Sequence, residues 1–151
     1  MIDKKFMDKL IVEALNSGIS RYVVAAVITN KRSEVLLLQR PKDEFYGGIY
    51  ELPSGKVEDD ESLEEALYRE VKEETGLNVK NITRYLGHFD YLSKSKKPTR
   101  QFNFHVEVED VSQIILKEHS SYVWVSPKDL HRYPVTEEVR KILEKFWQSE
   151  K

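Results

Sequence analysis

The chain has 151 residues, a formal charge of −2, 40% hydrophobic and 11% aromatic residues, and no cysteine. This length holds one domain with a real core and is short for two, while the charge balance offers no basic excess for nucleic acid. The composition excludes a wholly disordered chain, and the missing cysteines exclude a disulfide framework, a thiol nucleophile and a Cys-based zinc site.

The charged start, Met1-Ile2-Asp3-Lys4-Lys5-Phe6, lacks the apolar core of a signal peptide. The longest apolar run, near Val23 to Ile28, falls far below the ~20 residues that span a bilayer. A soluble, cytoplasmic single domain over residues 1–151 is therefore expected, with no membrane partner.

Residues 3–16 read as a helix, with Phe6, Leu10 and Ala14 on one stripe and Asn16-Ser17-Gly18 as its stop. Tyr22 to Thr29 is β-branched and apolar throughout, as a strand buried on both faces would be. Asn30 to Ser33 turns into a second strand, Glu34 to Arg40. A short strand fits Ile49 to Leu52, and Ser62 to Thr75 reads as a helix with a capping box at Ser62 and Glu65 and a stop at Gly76. Arg84 to Leu92 and Gln101 to Val108 are strand candidates joined by a basic turn, and Tyr122 to Val125 is another. Ser126 to Leu130 resembles a capped helical turn, and an amphipathic helix begins near Thr136. Helices at both ends and in the middle of a strand-rich chain predict an α/β fold, a mixed β-sheet flanked by helices.

The helix at 62–75 carries an anomaly. On a helical wheel Leu63, Ala66, Leu67 and Val71 form the apolar stripe, and Glu64, Glu65 and Lys72 take the far side. Glu70 and Glu74 nevertheless project along the line of Leu63 and Leu67, and Glu73 lies at the edge of the same arc. Three carboxylates on or beside a core-facing stripe repel one another and lose hydration. A hard divalent cation with oxygen ligands removes the conflict; the bland reading is an acidic, solvated helix.

Gly55, Glu61, Arg69, Glu70, Val71, Glu73, Glu74, Gly76 and Leu77 fill every fixed position of the pattern G-x5-E-x7-R-E-U-x-E-E-x-G-U, where U is a bulky aliphatic. The segment thus resembles the Nudix box. Gly47-Gly48-Ile49-Tyr50-Glu51-Leu52-Pro53-Ser54-Gly55 is similar to the run that precedes the box in that family, with Tyr50 for the frequent Trp and Ser54 for a Gly. The resemblance implies an α/β/α sandwich and hydrolysis of a diphosphate linkage in compounds of the type nucleoside diphosphate linked to X, with Mg2+ or Mn2+. It implies that Glu70, Glu73 and Glu74 hold the metal with the Gly55 carbonyl, and that Glu70 doubles as general base. Arg69 would then orient the glutamates, and Glu61 and Gly76 would brace the box.

Outside the box, Arg40 is a candidate phosphate grip, Phe45, Tyr46 and Tyr50 candidate base-stacking rings, and Glu118 a candidate further acid. Gln101, Asn103 and His105 are candidates for reading a base edge, and the turn Lys94 to Arg100 for steering phosphate. The four histidines show no HxxxH spacing, so no zinc is assigned. Subfamily hints for ADP-ribose, diadenosine polyphosphate and coenzyme A substrates are not met. Nucleoside triphosphates, oxidised ones included, are thus the leading small-molecule substrates. ADP-ribose or nucleotide-sugar hydrolysis and a non-catalytic nucleotide-sensing module stay open as alternatives; an isomerase reading suffers from the absent cysteine. A homodimer also stays open.

Overall fold

Arg21–Ile28 forms β1, and its all-apolar composition follows from its place between two cores. Val24, Ala26 and Ile28 enter one cluster, while Ala25 and Val27 enter the other. Every second side chain of a strand points the same way, so a strand covered on both faces must be apolar at each position. The computed structural model describes residues 2–150.

The remaining elements, in chain order, are α1 (Lys4–Asn16, before β1), β2 (Val35–Gln39), β3 (Tyr50–Glu51), β4 (Ser54–Lys56) and α2 (Leu63–Thr75). These are followed by β5 (Val79–Leu92), β6 (Pro98–Val108), β7 (Ser121–Val125), a 3-10 turn (Pro127–Arg132) and α3 (Glu137–Ser149). One sheet is mixed, in the order β4-β1-β6-β5, with β1 and β6 parallel and the outer pairs antiparallel. A second sheet, β3-β2-β7, is antiparallel throughout. The expected mixed sheet is present, and the second sheet is an addition to it. The cause lies in the turn after β1. Asn30 Oδ1 accepts from the amides of Arg32 (2.9 Å) and Glu34 (3.1 Å), and among the described residues only an isolated bridge, Thr29 with Val35, pairs the end of β1 with β2. Beyond it β2 leaves β1 and pairs with β3 and β7.

Helices α1 and α2 supply Met7, Leu10, Ala14, Leu63, Ala66, Leu67 and Val71 to the first cluster, with Phe102 and Phe104 from β6. Helix α3 supplies Val139, Ile142, Leu143, Phe146 and Trp147 to the second. Helix α1 thus packs within its own chain. Together these layers make the α/β/α sandwich. β5 is the outer strand of the mixed sheet, and its register with β6 shifts at three places, between Val79 and Asn81, Ile82 and Arg84, and Tyr85 and His88. Among the described residues no helix is long and apolar enough to cross a membrane.

Candidate active site

Helix α2 is fixed at both ends by its own sequence. Ser62 Oγ accepts from Glu65 N (3.1 Å) and Glu65 Oε1 from Ser62 N (2.9 Å), which closes the capping box. Gly76 ends it with φ +78°, where a side chain would be strained. The helix lies beside β4, and Gly55 of that strand sits so close to α2 that a Cβ there would overlap the Glu70 carboxyl group. Only glycine lets the carboxylate rest on the strand backbone.

Arg69 gathers the acids of the box. It makes a bidentate pair with Glu61 (Nε to Oε2 2.5 Å, Nη2 to Oε1 2.8 Å) and donates to Glu70 Oε1 at 2.6 Å and to Glu73 at 3.3 Å. It also donates to the Lys56 carbonyl (2.9 Å), while Glu61 accepts from Glu58 N (2.9 Å). Loop, strand and helix are thereby tied through one guanidinium.

Glu74 lies beyond the reach of these Arg69 bonds. It accepts from Ser54 N (2.6 Å), and His119 Nδ1 stands 3.8 Å away. His119 Nε2 lies 2.8 Å from Glu51 Oε2, Arg40 pairs with Glu51 Oε1 at 2.9 Å, and Arg40 also donates to the Phe45 carbonyl (2.9 Å). Acid and base thus alternate along Glu74, His119, Glu51 and Arg40. The segment before β7 delivers His119 because Ile115 N donates to Thr75 O (2.8 Å) and Ser120 N to Gln39 O (3.0 Å).

Burial governs the ionisation of this group. It pushes Glu74 up to about 7 against the Ser54 amide and His119, and it raises Glu70 despite Arg69. Burial also opposes the charged forms of Glu51 and His119, but their mutual contact prevails. With help from Arg40, Glu51 ends below its ordinary value; with help from Glu74, His119 ends above its own.

The residues fit a hard divalent cation of the Mg2+ or Mn2+ type. Their donors are carboxylate and carbonyl oxygens, and partial burial raises two of the carboxylates, Glu70 and Glu74. Among the described residues no three His, Asp or Glu side chains are gathered closely enough to hold a metal ion as they stand. Instead Arg69 bridges Glu70 and the half-exposed Glu73. Mg2+ usually keeps water and takes substrate phosphates as ligands, so it asks for fewer protein donors at once.

A cavity of about 930 Å³ lies on the Glu51 side of this group, lined among others by Arg40, Phe45, Glu51, Ser54, Gln101 and Glu138; Glu70, Glu73 and Glu74 are not among its lining residues, and Glu74 reaches it only through Ser54. This volume is that of a nucleotide-sized ligand site. Arg40 and Phe45, named above as candidates for phosphate and base, both line it, and Lys94, also in the lining, has its Nζ 5.2 Å from the Phe45 ring centroid. Tyr46 also lines the cavity, exposed and 4.3 Å from Phe45 between ring centroids.

Tyr50 does not belong to this lining. Neighbouring strand residues face opposite ways, so Glu51 takes the cavity side while Tyr50 packs edge-on against Tyr133 (5.1 Å) in the second core. Glu118, the candidate loop acid, is exposed and outside the cavity lining, and its neighbour His119 is the residue turned toward the carboxylates. His105 bonds Thr29 (2.9 Å) and Thr83 (2.5 Å) and stacks on Phe146, apart from the cavity. Glu51 could have been found from strand alternation in Ile49 to Leu52. His119 lies in an irregular segment that gives no periodic signal.

The Glu61 pair has a consequence for stability. Its hydrogen bonds from Arg69 hold the Glu61 carboxyl at about 2 against an ordinary 4.5. A depressed acid stabilises the fold above its unfolded value and loses that contribution as pH falls through the folded one. Glu61→Gln should therefore cost about 1.5–3 kcal/mol at pH 7. Urea titrations of both proteins should show the gap narrowing from pH 4.5 toward pH 2.

Comparison with known proteins converges on one family. The sequence profile described as the NUDIX domain matches residues 19–146. The CTP pyrophosphohydrolase of Escherichia coli K12 is 33% identical over 126 residues, which cover 82% of this chain and 89% of that protein. The 8-oxo-dGDP phosphatase NUDT18 of Danio rerio is 51% identical over 65 residues, covering 43% of this chain and only 20% of the much longer relative. Among solved structures, the MutT protein of Methanosarcina mazei Go1 superposes with a TM-score of 0.74 at 32% identity, covering 87% of this chain and 95% of that one. A complete box, the sandwich that presents it and a match over most of the chain lead to one assignment: this protein belongs to the Nudix hydrolase family.

Proposed function

We propose that this enzyme hydrolyses a phosphoanhydride bond of a nucleoside triphosphate, oxidised nucleotides included, with Mg2+ or Mn2+. The reading rests on one observation above the rest: Gly55 leaves room on β4 for the Glu70 carboxylate, which Arg69 joins to Glu61 and Glu73, while Glu74 is tied to Ser54, a residue of the cavity wall. The named activities of the Escherichia coli and Danio rerio relatives, toward CTP and 8-oxo-dGDP, support nucleotides as the substrate class.

A phosphoanhydride is shielded from attack by its own negative charge. Glu70, Glu73, Glu74 and the Gly55 carbonyl would hold a divalent cation, which would supply neutralisation of the phosphate oxygens and a more acidic water. The chain's own residues do the rest. Glu70, raised by burial, accepts the proton of the attacking water as general base. Arg69 keeps that carboxylate aimed through its 2.6 Å bond, and Gly55 supplies the space in which it sits. Arg40, held at the cavity wall by Glu51 and the Phe45 carbonyl, positions phosphate oxygens. Phe45 and Tyr46 offer ring faces to the base.

The test is a panel of nucleoside triphosphates, oxidised triphosphates, ADP-ribose and nucleotide sugars, each incubated with the enzyme and Mg2+. Pyrophosphate or phosphate release from triphosphates, abolished by EDTA and restored by Mg2+ or Mn2+, is the expected result. Faster turnover of ADP-ribose or nucleotide sugars would move the substrate class, and binding without turnover across the panel would make the protein a sensor.

A further inference from the structure

Phe102 and Phe104 of β6 fill the first core, so Gln101 and Asn103 turn to the opposite face of the strand. Asn103 is completely buried. Its Nδ2 donates to the carbonyls of Gly87 (3.1 Å) and Gln101 (3.3 Å). Reversing that amide would set its oxygen against two carbonyl oxygens, so the orientation is fixed. Asn103 Oδ1 must then face Gln101 as an acceptor, and Gln101 Nε2 donates to it at 2.9 Å.

The lock passes one step outward. With one of its two Nε2 hydrogens committed to Asn103, the Gln101 amide is held in one orientation, which fixes the place of Oε1. Gln101 lines the cavity, and its Oε1 takes no hydrogen bond from the described residues yet is not sealed in. A flipped Gln101 amide would bring Oε1 onto Asn103 Oδ1, two acceptors face to face. The cavity wall therefore carries an acceptor whose polarity is set from inside the core. Phe89, paired directly across from Gln101 in the sheet, lines the same cavity and offers a ring beside it.

We propose that Gln101 is a specificity-determining residue that reads the nucleotide base through this fixed acceptor, with Asn103 as its positioning residue. The proposal rests on the nucleotide-hydrolase reading above and narrows its substrate class. The favoured bases carry an N–H donor at the edge where a close counterpart carries an acceptor. Such pairs are the amino group of cytosine against the keto oxygen of uracil, that of adenine against that of hypoxanthine, and the protonated N7 of 8-oxoguanine against the bare N7 of guanine. With the counterpart, two acceptors meet and both lose water without replacement, a difference of about tenfold in kcat/KM for one neutral hydrogen bond.

The experiment measures kcat/KM for CTP and UTP, dATP and dITP, and 8-oxo-dGTP and dGTP, with wild type, Gln101→Met and Asn103→Ala. Wild type should favour the donor-bearing member of at least one pair about tenfold. Gln101→Met, which keeps the length and removes the acceptor, should bring that ratio near one. Asn103→Ala should do the same although Gln101 is intact, because the amide is then free to turn; if that variant fails to fold, Gln101→Met decides alone. Equal treatment of every pair by wild type, or an unchanged ratio in Gln101→Met, overturns the proposal. Should no nucleotide be hydrolysed, the hydrolase reading fails instead. Equilibrium binding of the α,β-methylene analogues of CTP and UTP and of dATP and dITP then reads the base preference separately, and equal affinities within both pairs overturn it.

Discussion

Replacing Glu74 by glutamine should lower Mg2+-dependent hydrolysis by about 10²–10⁴-fold while leaving the fold as stable as before, or slightly more so. The side-chain oxygen that accepts from Ser54 N is retained, so the helix stays tethered to the strand beside it. What disappears is a charge that burial already disfavours, since Glu74 is pushed up to about 7. Function and stability should thus move in opposite directions, the trade expected where a site is held in a costly ionisation state. Glu70→Gln should behave alike in turnover, for Glu70 is also raised by burial. Glu73→Gln should lose activity with the smallest structural effect, its side chain being half exposed. Initial rates of pyrophosphate release together with thermal melts decide the matter. Wild-type turnover in all three variants would place the chemistry elsewhere.

Gly55→Ala should be nearly as damaging to turnover, by about 10²-fold or more, for a different reason. The backbone at Gly55 lies in a strand and is not in the left-handed region, so alanine fits its conformation. The added methyl would instead occupy the place of the Glu70 carboxyl group. A flexible side-chain end can swing aside at small cost, so stability should fall by only about 1 kcal/mol, at the mild end of overpacking. The carboxylate, however, would leave its position against β4 and its bond to Arg69. Kinetics and urea denaturation of the same preparation separate the two effects. A variant that loses several kcal/mol and unfolds would show that the collision is absorbed by backbone.

These expectations were legible in the sequence to different depths. Helix α2, its capping box and its Gly76 stop are local features, and so is the partial burial of Glu70 and Glu74, which the wheel places on the line of Leu63 and Leu67. The alternation that divides β1 between two cores was likewise visible as an unbroken apolar run. β4 escaped notice because three residues, Ser54, Gly55 and Lys56, show no apolar period and become a strand only by pairing with β1. The first half of β5 escaped because each register shift interrupts the period of two. Within the site, the contact between His119 and Glu51 joins residues 68 positions apart, and no local pattern encodes it. The aromatic character of Tyr50 fits a base platform and a core equally, and strand alternation sets it against Tyr133.

The broken register of β5 reaches beyond this chain's own sheet. An outer strand of 14 residues would ordinarily offer a long row of unpaired amides, an invitation to intermolecular ladders and fibrils. Here Gly87, at φ +91°, and the successive slips bend that row, and the exposed Lys80 puts a cation on it. A second copy approaching this rim meets short, divergent stretches of backbone, too few in line to zip together, which guards against aggregation at the price of a less regular strand.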